Sequence, residues 1–462
     1  MKLKPTADAA RHGAQAPAAE PTLPEALAAA IDHLRSERIE AAEPELLRIL
    51  QRWPGQGDAL HFLGVLRHTQ GRIDEAVSLI QAALEQDPTQ AGAWNNLGNV
   101  LLMANRAEEA ADAYSHAVEQ APSGTNGVLA MNNLGVLYRQ LHRLDLSEQM
   151  LRRALETDPQ FADGWYNLAR TLIQRGQIQE GTIAHSKARA LWPAHLQPRS
   201  DVIRALLLLG ERERAAVLLN EWLAESPDNP VALHMLAACQ TGEAPARASD
   251  GYVEQVFDQF ATSFDAKLEA LGYRAPELVA QALAAAAGPG QAQLDIIDAG
   301  CGTGLCGPLI KPWARHLAGC DLSTGMLRLA KARKVYDTLH KAELTHYLDT
   351  QPGAGDAVVS ADTLCYFGQL DTVLAATWRC LRPGGWLVFT VEGLAETDER
   401  PHLLQANGRY AHARHYLDRS LEAAGFVQRT LVRERLRMEA GEPVMGWVVS
   451  ARSPLSAEGR HL

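Results

Sequence analysis

The chain has 462 residues, of which 47% are apolar and 21% charged, and carries a net charge of −11. That length exceeds one ordinary hydrophobic core and predicts more than one domain of a soluble globular protein. The acidic balance argues against a nucleic-acid partner, and no apolar run approaches the length of a bilayer span. Six cysteines are scattered, five of them from Cys301 onward, with no C-x-x-C pair and no H-E-x-x-H, so no metal site is expected. They read as buried, reduced thiols, which favours a cytoplasmic location. Residues 1–22, rich in alanine and proline, are predicted to form a disordered tail without the apolar core of a signal peptide.

From residue 23 the chain is periodic. Pro54, Pro88, Pro122, Pro159, Pro193 and Pro227 recur at intervals of 34, 34, 37, 34 and 34 residues. A fixed period of this length predicts stacked helical repeats. Trp94, Leu97, Gly98 and Leu101 make one helical stripe, and Ala110, Tyr114 and Ala117 a second, before Pro122 closes the unit. Trp165, Leu168, Ala169 and Leu172 repeat the pattern. This resembles the tetratricopeptide repeat, which implies about six helix pairs and a capping helix over residues 23–240. Asn96, Asn133 and Asn167 fall at equivalent positions, with Asn99 one turn on. Aligned along a groove, such amides can bond an extended peptide backbone whatever its sequence. The pattern resembles the asparagine ladder of tetratricopeptide glycosyltransferases and implies a protein or peptide partner. Helix packing is the alternative use for the same residues.

Residues 241–250, with Gly, Pro, Ala and Ser, read as a linker, and residues 251–455 as the second domain, followed by a tail at 456–462. Phe257, Phe260 and Phe264 share one helical face, as a lid over a ligand or as a plain packing surface. Leu294 to Ile297 is a buried strand, followed by Asp298-Ala-Gly-Cys-Gly-Thr-Gly304. The glycines let the backbone turn tightly and approach a ligand. Asp298, at the strand tip, suits a ligand bearing positive charge. A second strand, Leu317 to Cys320, ends in Asp321, which can accept both hydroxyls of a ribose.

Two nucleotides fit this pattern. Gly302 to Gly307 also matches the dinucleotide fingerprint G-x-G-x-x-G. A pyrophosphate would be repelled by Asp298, whereas the ammonium and sulfonium of S-adenosylmethionine would be attracted. The stretch resembles the first motif of the class I S-adenosylmethionine-dependent methyltransferases. Downstream, Asp356 to Asp362 is similar to their fourth strand, and Leu381-Arg-Pro-Gly-Gly385 with Trp386 to Val391 to the following turn and fifth strand. Phe426 to Leu436 and Val444 to Ala451 resemble the terminal hairpin. The fold class expected is therefore α + α/β, a tetratricopeptide solenoid followed by a Rossmann-like, seven-stranded methyltransferase domain. The whole looks like a bacterial family of predicted methyltransferases with such repeats.

The resemblance implies that S-adenosylmethionine is bound by Asp298, Gly300, Cys301, Gly302, Gly304, Asp321, Leu322, Met326 and Ser360. Glu343 is the candidate acceptor for the adenine amine, or else a plain helix-start carboxylate. A sulfonium is already a good methyl donor, so alignment and exclusion of water carry the rate, and a base is needed only for a protonated acceptor. Asp362 and Tyr366, after the fourth strand, and His412, before the last helix, are the candidates for that base. Tyr410 stands beside His412 as a further one. Two functions follow: an enzyme whose repeats recruit a protein or polypeptide substrate, or a repeat scaffold whose second domain acts on a small molecule or only senses the nucleotide.

Overall fold

A computed structural model describes residues 21–36, 38–240 and 244–455. All but the last two residues of the expected N-terminal tail, the first three of the expected linker and the tail at 456–462 lie outside the described residues. The chain divides into two compact units, residues 1–171 and 172–462. Among the described residues, no helix is long and apolar enough to cross a membrane.

The first unit is a run of helices: α1 (Leu23–Arg35), α2 (Ile39–Arg52), α3 (Gly57–Thr69), α4 (Ile73–Gln86), α5 (Ala91–Met103), α6 (Ala107–Gln120), α7 (Thr125–Gln140), α8 (Leu144–Thr157) and most of α9 (Ala162–Gln174). Small residues bring paired helices together. A Cβ on Gly64 would lie 2.6 Å from Ile80 Cγ1, one on Gly98 2.5 Å from Tyr114 Cε1, and one on Gly135 2.6 Å from Leu151 Cγ. No close-packed interior tolerates such approaches, so each glycine marks a crossing of first and second helix. The periodic prolines do more than end units. Trp94 Nε1 donates to the Pro88 carbonyl at 2.8 Å, and Trp165 Nε1 to that of Pro159 at 2.9 Å.

The asparagines bond one another across neighbouring repeats. Asn133 Nδ2 donates to Asn95 Oδ1 at 3.0 Å and more weakly to Asn99 Oδ1 at 3.4 Å, and Asn167 Nδ2 donates to Asn132 Oδ1 at 2.9 Å. Asn96 Nδ2 meets His61 Nε2 at 2.9 Å, while Asn99 Oδ1 accepts from the Tyr114 hydroxyl at 2.7 Å. The ladder is thus part of the stack's own bonding, with these donors already engaged.

In the second unit, α10 (Ile178–Leu191), α11 (Arg199–Leu208), α12 (Arg212–Glu225) and α13 (Pro230–Cys239) precede the sheet. α13 follows the sixth helix pair, with Asn229 Oδ1 accepting from Ala232 N at 3.0 Å. Its His234 donates from Nε2 to the Gly408 carbonyl at 2.8 Å, which ties α13 to the sheet domain. The expected linker is pinned as well. Ala246 O accepts from Gly368 N and Gln369 N, Ala248 N donates to Tyr366 O, and the Tyr410 hydroxyl donates to Pro245 O.

The remaining helices are α14 (Asp250–Phe260), α15 (Phe264–Ala270), α16 (Ala275–Ala287), α17 (Gly307–Ile310), α18 (Thr324–Ala332), α19 (Leu344–Asp349), α20 (Asp371–Cys380) and α21 (Arg414–Ala423). The strands are β1 (Leu294–Ala299), β2 (Ala314–Asp321), β3 (Thr338–Lys341), β4 (Gly355–Ser360), β5 (Leu381–Gly393), β6 (His402–Leu404), β7 (Tyr410–His412), β8 (Val427–Glu439) and β9 (Glu442–Arg452). β3, β2, β1, β4 and β5 lie parallel in that order, and β9 pairs antiparallel with β5 and carries β8. These are the seven strands expected. A short β6–β7 hairpin, which the sequence did not announce, pairs with the end of β5 through Glu392 and Gly393. The central strands are buried on both faces, as a parallel sheet covered by helices requires.

Candidate active site

β1 has β2 on one side and β4 on the other, so chain connections diverge at its carboxyl end and leave a crevice there. A cavity of about 1170 Å³, mouth included, opens at this point. The glycine loop forms its floor. Gly300 N and Cys301 N both donate to Cys320 O, at 2.9 and 3.0 Å, fastening the loop to β2. Gly300, Gly302 and Gly304 have φ of +76°, +53° and +83°, the left-handed region where other residues are strained. A Cβ on Gly300 would overlap Thr363, and one on Gly304 would lie 2.9 Å from Tyr336 Cε2, whereas one on Gly302 would meet nothing within 4 Å. Gly302 is therefore the position left open to a ligand.

Asp298 is buried at the tip of β1 and lines the cavity. The Tyr336 hydroxyl donates to its Oδ2 at 2.6 Å. Burial pushes its pKa up to about 7, against the Tyr336 bond, and the nearby Asp321 charge adds to the rise. Such a carboxylate gains most from a cation placed beside it. Asp321 closes β2, with Oδ2 accepting from Gly302 N at 2.9 Å and Oδ1 from Ser323 N at 2.8 Å. Burial raises its pKa too, opposed by those N–H groups. The two acids thus stand on adjacent strand ends around the open glycine. Leu322 and Cys301 also line the cavity, and burial holds the Cys301 thiol far above its ordinary pKa, which leaves it a filler and no nucleophile. Glu343 lines the cavity as well, but its oxygens cap α19 by accepting from Thr345 N and His346 N at 3.0 and 2.8 Å.

The cavity's other end is ionic. Asp362 has φ of +53° and is held there by Thr390, whose hydroxyl accepts from Asp362 N at 2.9 Å and donates to its Oδ1 at 3.0 Å. Arg437 of β8, nearly inaccessible, reaches Asp362 Oδ2 at 3.2 Å and also bonds Glu392. Arg409 bonds Glu392 and Glu439, each at 2.5 Å. Burial raises the Asp362 pKa in spite of Arg437. Burial acts the same way on Glu392, yet Arg409 and Arg437 together outweigh it and hold its pKa below the ordinary value. Tyr273 and Tyr366 complete this end.

α14 and α15 cover the cavity. Phe257 and Phe264 line it and meet edge to face at 5.8 Å, while Phe260 does not line it and instead lies under Lys267, with Nζ 4.3 Å from its ring. The stripe breaks because the 3₁₀ turn Ala261–Ser263 interrupts the helix. Three acids fasten the cover: Asp258 accepts from Ser323 Oγ and Gly325 N, Asp265 from Thr303 Oγ1 and Arg333, and Glu254 from Lys341.

Several candidates sit elsewhere. His412 lies in β7, fully buried and outside the cavity lining, and burial pulls its pKa down to about 4. It has no path to an acceptor and drops out as the base. Tyr410 gives its hydroxyl to the chain at Pro245. Met326 is a buried residue of α18, off the cavity. Ser360 Oγ donates to Ala299 O at 2.8 Å, stitching β4 to β1, so it serves the sheet. Gly304 serves Tyr336. Asp362 and Tyr366 do line the cavity. Sequence reasoning missed Tyr336, Tyr273, Arg409 and Arg437. No spacing rule marks the two tyrosines, and neither arginine falls within a motif. Among the described residues no group of three or more His, Cys, Asp or Glu is placed to hold a metal ion.

A family model described as a methyltransferase domain matches residues 297–389. Tetratricopeptide repeat models match residues 27–91, 69–125, 128–157 and 150–181. Methyltransferase-like protein 27 of Homo sapiens is 34% identical over 137 residues, 29% of this chain and 55% of the relative. A ubiquinone biosynthesis O-methyltransferase of Thiobacillus denitrificans is 30% identical over 101 residues, 21% of this chain and 43% of the relative. An 18S rRNA (guanine-N(7))-methyltransferase of Arabidopsis thaliana is 27% identical over 116 residues, 22% of this chain and 40% of the relative. The chain spans about half the length of these relatives. With its parallel sheet, glycine loop and repeat helices, the chain carries a methyltransferase domain and tetratricopeptide repeats.

Proposed function

We propose that the second domain binds S-adenosylmethionine at the ends of β1 and β2 and transfers its methyl group to an acceptor held at the ionic end of the cavity. The supporting observation is the pair Asp298, buried, and Asp321, half-buried, on adjacent strand ends around the open Gly302. Asp298 would hold the ammonium, Asp321 the ribose hydroxyls, and Leu322 a face of the adenine, with Glu343 at the adenine edge. When bound, the nucleotide supplies the activated methyl group. The protein's share is to fix the acceptor in line and keep water out, which the aromatic walls Phe257 and Phe264 favour. Asp362 would take a proton where the acceptor carries one, since it lines the cavity and burial raises its pKa. Calorimetry should show saturable, one-to-one binding of S-adenosylmethionine and none of NAD. Binding of NAD alone would overturn the reading, because a pyrophosphate would then be tolerated beside Asp298. Incubation of the protein and labelled nucleotide with a lysate, separated into macromolecules and small molecules, identifies the acceptor class.

The repeats are proposed to recruit a protein or polypeptide partner in a cytoplasmic setting, which the six buried, unpaired cysteines favour. Replacing Asn96, Asn133 and Asn167 together by alanine should lower partner capture several-fold and leave nucleotide affinity unchanged. Undiminished capture would confine these amides to the bonds they make within the stack.

A further inference from the structure

The cavity is electrically divided. Asp298, Asp321 and Glu343 line its nucleotide end, whereas Arg247, Arg409 and Arg437 line the end around Tyr366 and face a single lining acid, Asp362. The carboxylates that neutralise the arginines from outside the lining are Asp250 for Arg247, and Glu392 and Glu439 for Arg409 and Arg437. Arg409 binds Glu392 and Glu439 through Nε and Nη2, and its Nη1 has no acceptor among the described residues. The Tyr273 hydroxyl has no partner among the described residues either, and both groups line the cavity. Phe257, Phe264 and Leu268 form the apolar wall beside them. A cationic amine would meet three guanidinium groups here, while an anion would find donors whose charge is already held in place.

Resting on the methyl-transfer reading above, we propose that the acceptor is an oxyanion, a carboxylate or phosphate on an apolar body, received by Arg409 Nη1 and the Tyr273 hydroxyl. Arg437 orients the pocket by holding Asp362 and Glu392, and Phe257 and Phe264 pack the apolar body. The arrangement selects against amines by charge and against fully polar acids by the aromatic wall.

Thermal unfolding of the full chain saturated with S-adenosylhomocysteine, titrated with benzoate, phenyl phosphate and benzylamine, tests this. At least one of the two anions should raise the midpoint in a saturable way, and which one does so separates carboxylate from phosphate; benzylamine should leave it unmoved. Arg409→Met should weaken the anion's apparent affinity at least tenfold. Because Arg409 also anchors Glu392, Arg409→Lys is the second variant: it keeps the charge, removes the fork, and should still weaken the anion several-fold. Stabilisation by benzylamine equal to that by the anions, silence of both anions on protein that binds S-adenosylhomocysteine, or unchanged affinity in the folded arginine variants would each overturn the proposal. Failure to bind S-adenosylhomocysteine would overturn the methyl-transfer reading itself.

Discussion

Asp298→Ala is expected to lower affinity for S-adenosylmethionine about 100-fold, the loss of roughly 3 kcal/mol of charge-assisted bonding. The effect is large because the carboxylate is buried, held by one hydroxyl, and open to the cavity on its other side. A pH signature accompanies it. With the carboxyl pKa near 7 in the unliganded protein, the ammonium finds its ionised partner only above that value. Affinity should fall about tenfold per pH unit below neutrality and level off above it. In Asp298→Ala that slope should vanish, and calorimetry between pH 5.5 and 8.5 measures both. The folded pKa lies above the unfolded one, so the unfolded chain releases this proton first. Asp298 therefore makes the unliganded protein lose stability as pH rises from about 4 to about 7. Binding unchanged in the alanine variant would remove Asp298 from the site.

Arg437→Met is expected to cost about 3–5 kcal/mol of stability, the usual consequence of deleting one partner from a buried ionic cluster. The cost comes from what remains. Asp362 keeps only Thr390, and Glu392 keeps Arg409 and Gln405. Glu392 is 3% exposed, so water cannot replace the lost guanidinium. Urea unfolding gives the value, and a loss below about 1 kcal/mol would show that the cluster relaxes into solvent. Restoring balance should recover part of the loss, so Arg437→Met with Glu392→Gln should be more stable than Arg437→Met alone.

Most of the architecture was legible in the sequence because its elements are local. The 34-residue spacing of prolines placed the repeats, and short β-branched runs ending in acid or glycine placed β1, β2 and β4. β3 was faint because it is an edge strand with exposed residues, so burial leaves no pattern there. The β6–β7 hairpin was invisible because three-residue strands carry no period. Within the site, the acids flanking the loop followed from position alone. Arg437 did not, since its neighbours Arg433, Glu434 and Arg435 make β8 read as a solvent-facing strand. Its burial is set by Asp362 and Glu392, which arrive from distant parts of the chain. The spacing of the asparagines suits a groove and the stack's own packing alike, and their hydrogen bonds run largely to one another.

The ring of Tyr336 crowds three separate glycines at once. A Cβ on Gly304, Gly307 or Gly319 would each come within about 3 Å of it. Tolerance to change in the nucleotide loop thus depends in part on a residue outside the loop. A smaller side chain at 336 would make room at Gly307, at the expense of the hydroxyl that steadies Asp298, while Gly304 would keep its φ of +83° and Gly319 its neighbours Leu339 and Cys301. Engineering of the loop must begin from that tyrosine.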